Sequence, residues 1–272
     1  MARRGRGSKK PPCSIYSPSE VMAIGLKLVK YDEKRQRRLC FKTKVDNFKA
    51  AYGSSPTVIA LMWEDHLKSK NLDARIDGLA VARFEMYLMA HHFLFNYATG
   101  KNESATFECC EDTGRKWRWL FVGKIMGLKR EKIVWPSEWC EDDGSPIFLY
   151  SVDGTHCRTY EPQHPTWSKN PKACSHKDKH PALNYELALS LWEPKLVWLN
   201  GPDLSSVHDI TVFRKGLKQK TPAGKKGIGD LGYRGERGIL STPNSHDAAE
   251  LRKFKSRARA RHESFNACPR LA

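Results

Sequence analysis

The sequence predicts an α/β protein in two parts, an all-helical N-terminal region followed by a C-terminal domain built on strands. Three observations predict it. Up to about residue 140 the apolar residues recur at helical spacing; from Pro146 they fall into strand-length runs bounded by glycine and proline; and the acidic turn Glu141-Asp142-Asp143-Gly144 marks the change. At 272 residues and 40% hydrophobic content, the chain is long enough for one large domain or two modest ones and can bury a core.

The helical part divides as follows. Ser19 can cap a helix from Glu20 to about Asp32, and Val45 to Ala51 is a short amphipathic stretch. Tyr52-Gly53-Ser54-Ser55-Pro56 is a break, after which Pro56 suits the first turn of a helix to about Leu67, with Ser55 as its N-cap. Helix, tight glycine turn, helix is the form of a helix-turn-helix and equally of a plain helical hairpin; pattern alone leaves both open. Leu79 to Tyr97 reads as a longer apolar helix and Glu108 to Leu128 as a further helical pair. In the latter, Trp117, Trp119, Leu120, Phe121, Ile125 and Met126 alternate with Arg115, Lys116, Arg118 and Lys124, an aromatic stripe that reads as core.

Strands follow. Ile147 to Val152 is an apolar run ending in Asp153-Gly154-Thr155-His156, which puts Asp153 at the carboxyl end of a core strand. Tyr185 to Ser190 and Lys195 to Asn200 make a second and third strand around a turn at Trp192 to Pro194, closed by Gly201-Pro202. Ser205 or Ser206 starts a short helix containing Asp209 and Phe213, and Lys226 to Gly229 leads into Asp230 at a second strand end. Ser245 to about Phe265 is a helix carrying Arg252, Lys255 and Arg259 near one face, with Glu263 beyond them.

Charge narrows the function. Lys and Arg number 47 against 30 Asp and Glu, giving a net charge of +17 and favouring a polyanionic partner such as nucleic acid. From Met1 to Lys44 there are 13 basic residues against Glu20, Asp32 and Glu33, and Arg252 to Arg261 carries six more. Residues 1–18, with Arg3, Arg4, Arg6, Lys9 and Lys10, read as a flexible basic arm that contacts phosphate or serves as a nuclear import signal. The most apolar run, Met86 to Phe95, is shorter than a membrane span and is interrupted by His91 and His92, so a soluble intracellular protein is expected. Eight scattered cysteines form no paired zinc knuckles, and Cys174-x-His176-x3-His180 lacks a fourth ligand, so it reads as a polar loop.

Asp153, Asp230 and Glu263 stand out against this background. Alone, Glu263 between Arg259 and Arg261 is an ordinary ion-paired surface residue. Together, two strand-end aspartates and a helix glutamate supply the hard oxygens that Mg²⁺ or Mn²⁺ prefers, and such ions activate a nucleophile and stabilise the leaving oxygen of a phosphodiester.

The residues also carry a resemblance. Ser151-Val152-Asp153-Gly154-Thr155-His156, Ser175-His176-Lys177, Tyr185-Glu186, Val197 to Pro202, His208-Asp209-Ile210-Thr211-Val212-Phe213-Arg214, Gly229 to Gly235 and Arg257 to Asn266 resemble, in order, the catalytic domain of Harbinger/PIF-like DDE transposases, the branch labelled DDE superfamily endonuclease. Phe48 to Pro56 is similar to the helix-turn-helix region that often precedes that domain. The resemblance implies an RNase H-like mixed sheet over residues 146–266, a helical DNA-binding region over 19–140 and a short tail at 267–272. It implies that Asp153, Asp230 and Glu263 are the catalytic and metal-binding acids, with Asp209 as a further ligand or structural acid. It also implies a divalent-metal cofactor, double-stranded DNA at transposon ends and target as partner, nuclear localisation, and in some relatives a separate DNA-binding protein or a homo-oligomer. Family members continue well past the glutamate with a basic helix, whereas this chain ends nine residues after Glu263 with Pro269 between. That departure sets an active endonuclease against a second expectation, a transposase-derived DNA-binding protein with a weak or inactive catalytic domain. A third reading, chance acidic spacing in a basic globular protein, predicts carboxylates far apart.

Overall fold

The computed structural model describes residues 15–31, 37–68, 83–140, 146–160, 170–175 and 179–267, with the single positions 34, 164 and 168. The chain divides into two compact units at Lys129/Arg130. Trp135 and Trp139, expected on the connection, belong to the second unit and pack against Tyr150. Residues 1–14 of the basic arm, the start of the Leu79 helix, the turn at Glu141 to Gly144, His176 and residues 268–272 of the tail lie outside the described residues, while Ser17 and Pro18, expected in the arm, belong to the first helix.

The first unit is helical: α1 (Pro18–Leu28), α2 (Phe41–Tyr52), α3 (Pro56–Lys68), α4 (Phe84–Asn96), α5 (Gly100–Phe107) and α6 (Glu111–Gly127). The cap of α1 is Ser17 rather than Ser19. Its hydroxyl accepts from the Glu20 backbone while the Glu20 carboxylate accepts from the Ser17 backbone, a capping box that sets the start two residues earlier than propensity suggested. Gly53 ends α2 in the left-handed region at φ 71°, and Ser55 accepts from the Val58 backbone at the start of α3, as expected. Glu108 to Leu128 is one helix, α6, and not a pair. Its neighbour α5 escaped the sequence reading because its buried residue is Glu103, which bonds Arg118 of α6 at 2.5 Å. Trp63 is fully buried among Phe84, Tyr87 and Phe121, so the aromatic stripe does form core, although Trp119 and Met126 of the same stripe face solvent.

The second unit is α/β on a mixed five-stranded sheet ordered β3-β2-β1-β4-β5: β1 (Phe148–Arg158), β2 (Ala182–Ser190), β3 (Leu196–Leu204), β4 (Lys226–Ile228) and β5 (Leu240–Ser241). β1-β2-β3 is antiparallel, whereas β4 and β5 run parallel to β1. The parallel half requires a crossover, which α7 (Asp209–Lys215) and α8 (Leu217–Lys220) supply. Phe213 and Leu217 from these helices and Tyr233 pack with Tyr150, Val152, Ala188 and Val197. The last helix, α9 (Ala249–Ala267), packs on β1 and β4 and sends the buried His262 to Ser151, Nε2 to Oγ 2.9 Å. Arg261 donates to the carbonyls of Leu191 and Glu193 and fastens the β2–β3 turn to the same helix.

All three antiparallel strands run further than expected, β2 beginning at Ala182 rather than Tyr185. β1 continues through Asp153 to Arg158 because β2 pairs with it along that whole length, and β3 passes through Gly201-Pro202 to Leu204. The helix at Asp209 is entered from His208, not from Ser205 or Ser206.

Burial holds His66 and His91 of the first unit neutral, lowered from the ordinary 6.5 to about 4 and about 3, with each ring close to its neighbours in the core. The unfolded chain takes up those protons near pH 6.5 and the folded unit does not, so stability is lost as pH falls through this window, by ~1.4 kcal/mol per pH unit for each histidine. Thermal unfolding followed between pH 7 and pH 4.5 is expected to show the loss, and His91→Leu is expected to flatten it. A midpoint insensitive to pH in that range contradicts this description.

Candidate active site

Parallel pairing of β1 with β4 sets the position of two acids. Ser151 pairs with Ile228, the last residue of β4. Two residues further along each chain lie Asp153, mid-way along β1, and Asp230, just past the end of β4 in extended backbone at φ −79°, ψ −170°. Asp153 is therefore not at a strand end; its partner strand ends there, which leaves its side chain beside the loop that carries Asp230. The Asp230 carboxylate accepts from the Gly232 backbone at 2.8 Å and caps the single turn Leu231–Tyr233, so its position is fixed by its own chain. The Asp153 carboxylate accepts from the Gly154 backbone at 2.9 Å.

Asp209 closes the group. It opens α7, and its Oδ1 accepts from Asn184 Nδ2 of β2 at 3.2 Å. A Cβ on Gly154 would lie 2.5 Å from Asp209 Oδ1, and a Cβ on Gly232 would lie 3.1 Å from Asp209 Oδ2 and 3.0 Å from Asp230 Oδ1. Asp209 thus fills the space left by Gly154 and Gly232, close to Asp230 and on the face of β1 opposite the Asp153 side chain. Desolvation raises its pKa, the Asn184 hydrogen bond opposes the rise, and the nearby Asp230 adds to it.

Beneath these acids is a buried polar layer that sequence reasoning missed. Glu186 pairs with Gly154 across β1–β2 and is 1% exposed. Its Oε2 accepts from Trp198 Nε1 at 3.1 Å, while Oε1, Tyr233 Oη and Asn184 Oδ1 are buried without a hydrogen bond. Burial pushes the Glu186 carboxyl up to about 8 against the Trp198 hydrogen bond, with Asp209 and Asp203 adding to the rise. Burial raises the Tyr233 hydroxyl well above its usual range, and Glu186, Asp209, Asp153 and Asp230 all push it the same way. A glutamate inside the mostly apolar run Tyr185 to Leu189 was the available signal, since both faces of that strand are covered.

Glu263 comes from a different element. It is exposed on α9, next to the His262 that docks on Ser151. Ser151 and Asp153 share a face of β1 by strand alternation, so α9 lies over the Asp153 side of the sheet at the turn that carries Glu263. Among the described residues no three His, Cys, Asp or Glu side chains are gathered as metal ligands. The candidate donors are hard carboxylate oxygens, the ligand type that Mg²⁺ or Mn²⁺ selects.

The expected nucleic-acid contacts divide. Arg252 and Arg259 are exposed on α9. Lys255 is not, and its reading as a phosphate contact is corrected: it is 4% exposed, and its ammonium donates to Asp247 Oδ2 at 2.6 Å and the Thr242 carbonyl at 2.9 Å, stapling the helix to the preceding loop. In the helix pair α2–α3, the lysines Lys42, Lys44 and Lys49 sit on the first helix, whereas the second carries Glu64 and Asp65, with Glu64 paired to Lys68. Cys174 bridges to Pro181 and Ser175 bonds the His180 carbonyl, so the chain forms a backbone turn there. No helix among the described residues is long and apolar enough to cross a membrane.

Comparison with protein-family models, curated proteins and solved structures gave no match.

Glu186 gives a test of the buried layer. Its proton is held to about 8 in the fold but released near 4.5 in the unfolded chain. The folded state therefore binds more protons across this window, and stability falls as pH rises through it, by ~1.4 kcal/mol per pH unit. Glu186→Gln keeps the shape and is expected to abolish that dependence when denaturant unfolding is compared at pH 5.5 and pH 7.5. An unchanged dependence in the variant places the titrating group elsewhere.

Proposed function

We propose that this chain is a DDE-type endonuclease of the transposase kind, with an RNase H-like catalytic domain, that cleaves DNA phosphodiester bonds with divalent metal ions. The observation that carries the reading is the register of β1 and β4, which sets Asp153 and Asp230 side by side at the point where the parallel pairing ends. The strand order, with an antiparallel β1-β2-β3 half and parallel β4 and β5, supports the RNase H-like fold. The ordered motifs quoted above support the family.

The chemistry divides among named residues. Asp153 and Asp230 would hold the cation, and Asp209, fixed by Asn184, would act as a structural acid or further ligand beside Asp230. Glu263 approaches from α9 on the Asp153 side of the sheet. A bound Mg²⁺ or Mn²⁺ supplies Lewis-acid polarisation of the phosphodiester and a more acidic water or 3′-hydroxyl. The neutral Glu186 and the Tyr233 hydroxyl keep further negative charge from accumulating under the three aspartates. The net charge of +17 attracts the DNA, with strand transfer between transposon ends and target, a nuclear location and oligomeric assembly following from the same reading.

A second reading is favoured by one observation: Glu263 is exposed on α9. On that reading the protein is a transposase-derived DNA-binding protein whose catalytic domain serves as a scaffold.

Nicking of supercoiled plasmid in Mg²⁺ or Mn²⁺ separates the two. Asp153→Asn and Asp230→Asn are expected to lower the rate at least ~100-fold, about 2.7 kcal/mol of transition-state stabilisation. Side-by-side rates for Asp209→Asn and Glu263→Gln identify the third essential acid by the larger loss. A folded wild-type protein that binds DNA with strong salt dependence but nicks in neither metal supports the scaffold reading.

A further inference from the structure

Two adjoining cavities of the second unit, about 470 and 660 Å³, lie between the loop that follows Asp230 and helix α9. They share Arg234, Pro243, Asn244, Asp247 and Lys255 and so form one groove. Its basic lining comes from both sides: Arg234 and Arg237 follow Asp230 in the chain, and Arg252 and Arg259 project from α9. All four are exposed. The one carboxylate in the groove, Asp247, is already engaged by the buried Lys255, so the field left in the groove is that of the arginines.

Helical periodicity gives the groove a direction. Arg252, Ser256 and Arg259 line it, and residue 263 continues the same stripe three to four residues on. Leu231, the residue after Asp230, lines the opposite wall and is 49% exposed. The arginine stripe therefore runs along α9 towards Glu263, facing the loop of Asp230. Exposed Leu231 and half-buried Pro243 offer apolar surface for a base, while Asn244 and Ser245 offer polar groups at its edge. Either cavity has the volume of a small-ligand site, too small to enclose a duplex.

We propose that this groove holds an unpaired segment of a DNA strand by its phosphates, Arg234 and Arg237 on one side and Arg252 and Arg259 on the other, and leads it to the acids. The strand is the one cut in the cleavage reading above, on which the choice of DNA rests. Lys255 and Asp247 are the internal staple that holds the two walls together, and they do not touch the ligand.

The test is fluorescence anisotropy on the full chain in EDTA, where no cleavage occurs. The probes are a labelled single-stranded oligonucleotide and a blunt duplex of the same sequence. Two double variants remove the same charge: Arg252→Gln with Arg259→Gln in the groove, and Lys253→Gln with Arg257→Gln on the rest of α9, where Arg257 lines a different cavity with Pro194 and Leu196. The groove pair is expected to weaken single-strand binding at least about tenfold more than the control pair and to reduce the salt slope by about 1.4, two phosphate contacts on a single strand. Equal losses in the two pairs overturn the proposal, as does a groove-pair loss confined to the blunt duplex. Matched unfolding midpoints confirm that both variants fold. Groove-specific binding by a wild-type protein that does not nick DNA upholds the groove and rejects the cleavage reading.

Discussion

The second unit depends on one pairing, the parallel contact between β1 and β4. It is short, from Phe148 and Lys226 to Ser151 and Ile228, and its irregularity falls before Tyr150, so the register at the functional end is set by the last two pairs. Because side chains alternate along a strand, a slip of one residue would turn Asp153 to the other face of the sheet and part it from Asp230. Close packing fixes that register: Gly227 pairs with Tyr150, and a Cβ there would collide with the Tyr150 ring, while Tyr150 itself is buried against Trp135 and Trp139. The aromatic residues just before the sheet are thus part of what positions the acids.

Around this pairing the unit assigns its two faces different tasks. The α7 side brings Asp209 and Tyr233 over the buried Glu186, a concentration of acid that persists because burial keeps Glu186 protonated near neutral pH. The α9 side brings basic residues, held in place by three anchors: His262 on Ser151, Lys255 on Asp247, and Arg261 on the β2–β3 turn. One helix can present positive charge to solvent while some of its own cations fix it to the sheet, because alternate stripes of α9 face opposite ways.

How much of this was legible in the sequence follows from the same physics. The apolar runs at Ile147 to Val152, Tyr185 to Ser190 and Lys195 to Asn200 gave three strands, since burial on both faces leaves little polar alternation. The second half of β1, Asp153 to Arg158, was not legible: it is polar and only half-buried, and it is a strand because β2 pairs with it. Helix α5 was hidden because an ion pair, Glu103 with Arg118, does the work usually done by an apolar residue. Lys255 looks like its arginine neighbours in sequence, and only the position of Asp247 shows that it is spent on the fold. Asp153 and Asp230 were found from their strand contexts, whereas the closeness of Asp209 to Asp230 required Gly232, whose missing side chain leaves room for both carboxylates.

Whether Asp153 and Asp230 hold one cation is measured, without reference to activity, by Mn²⁺ titration of the full chain followed by electron paramagnetic resonance. The proposed reading predicts saturable binding in the wild type that is weakened at least about tenfold in Asp153→Asn and Asp230→Asn alike, since each removes a hard oxygen ligand from the same ion. Wild-type affinity retained in Asp153→Asn, or losses confined to one aspartate, would contradict it.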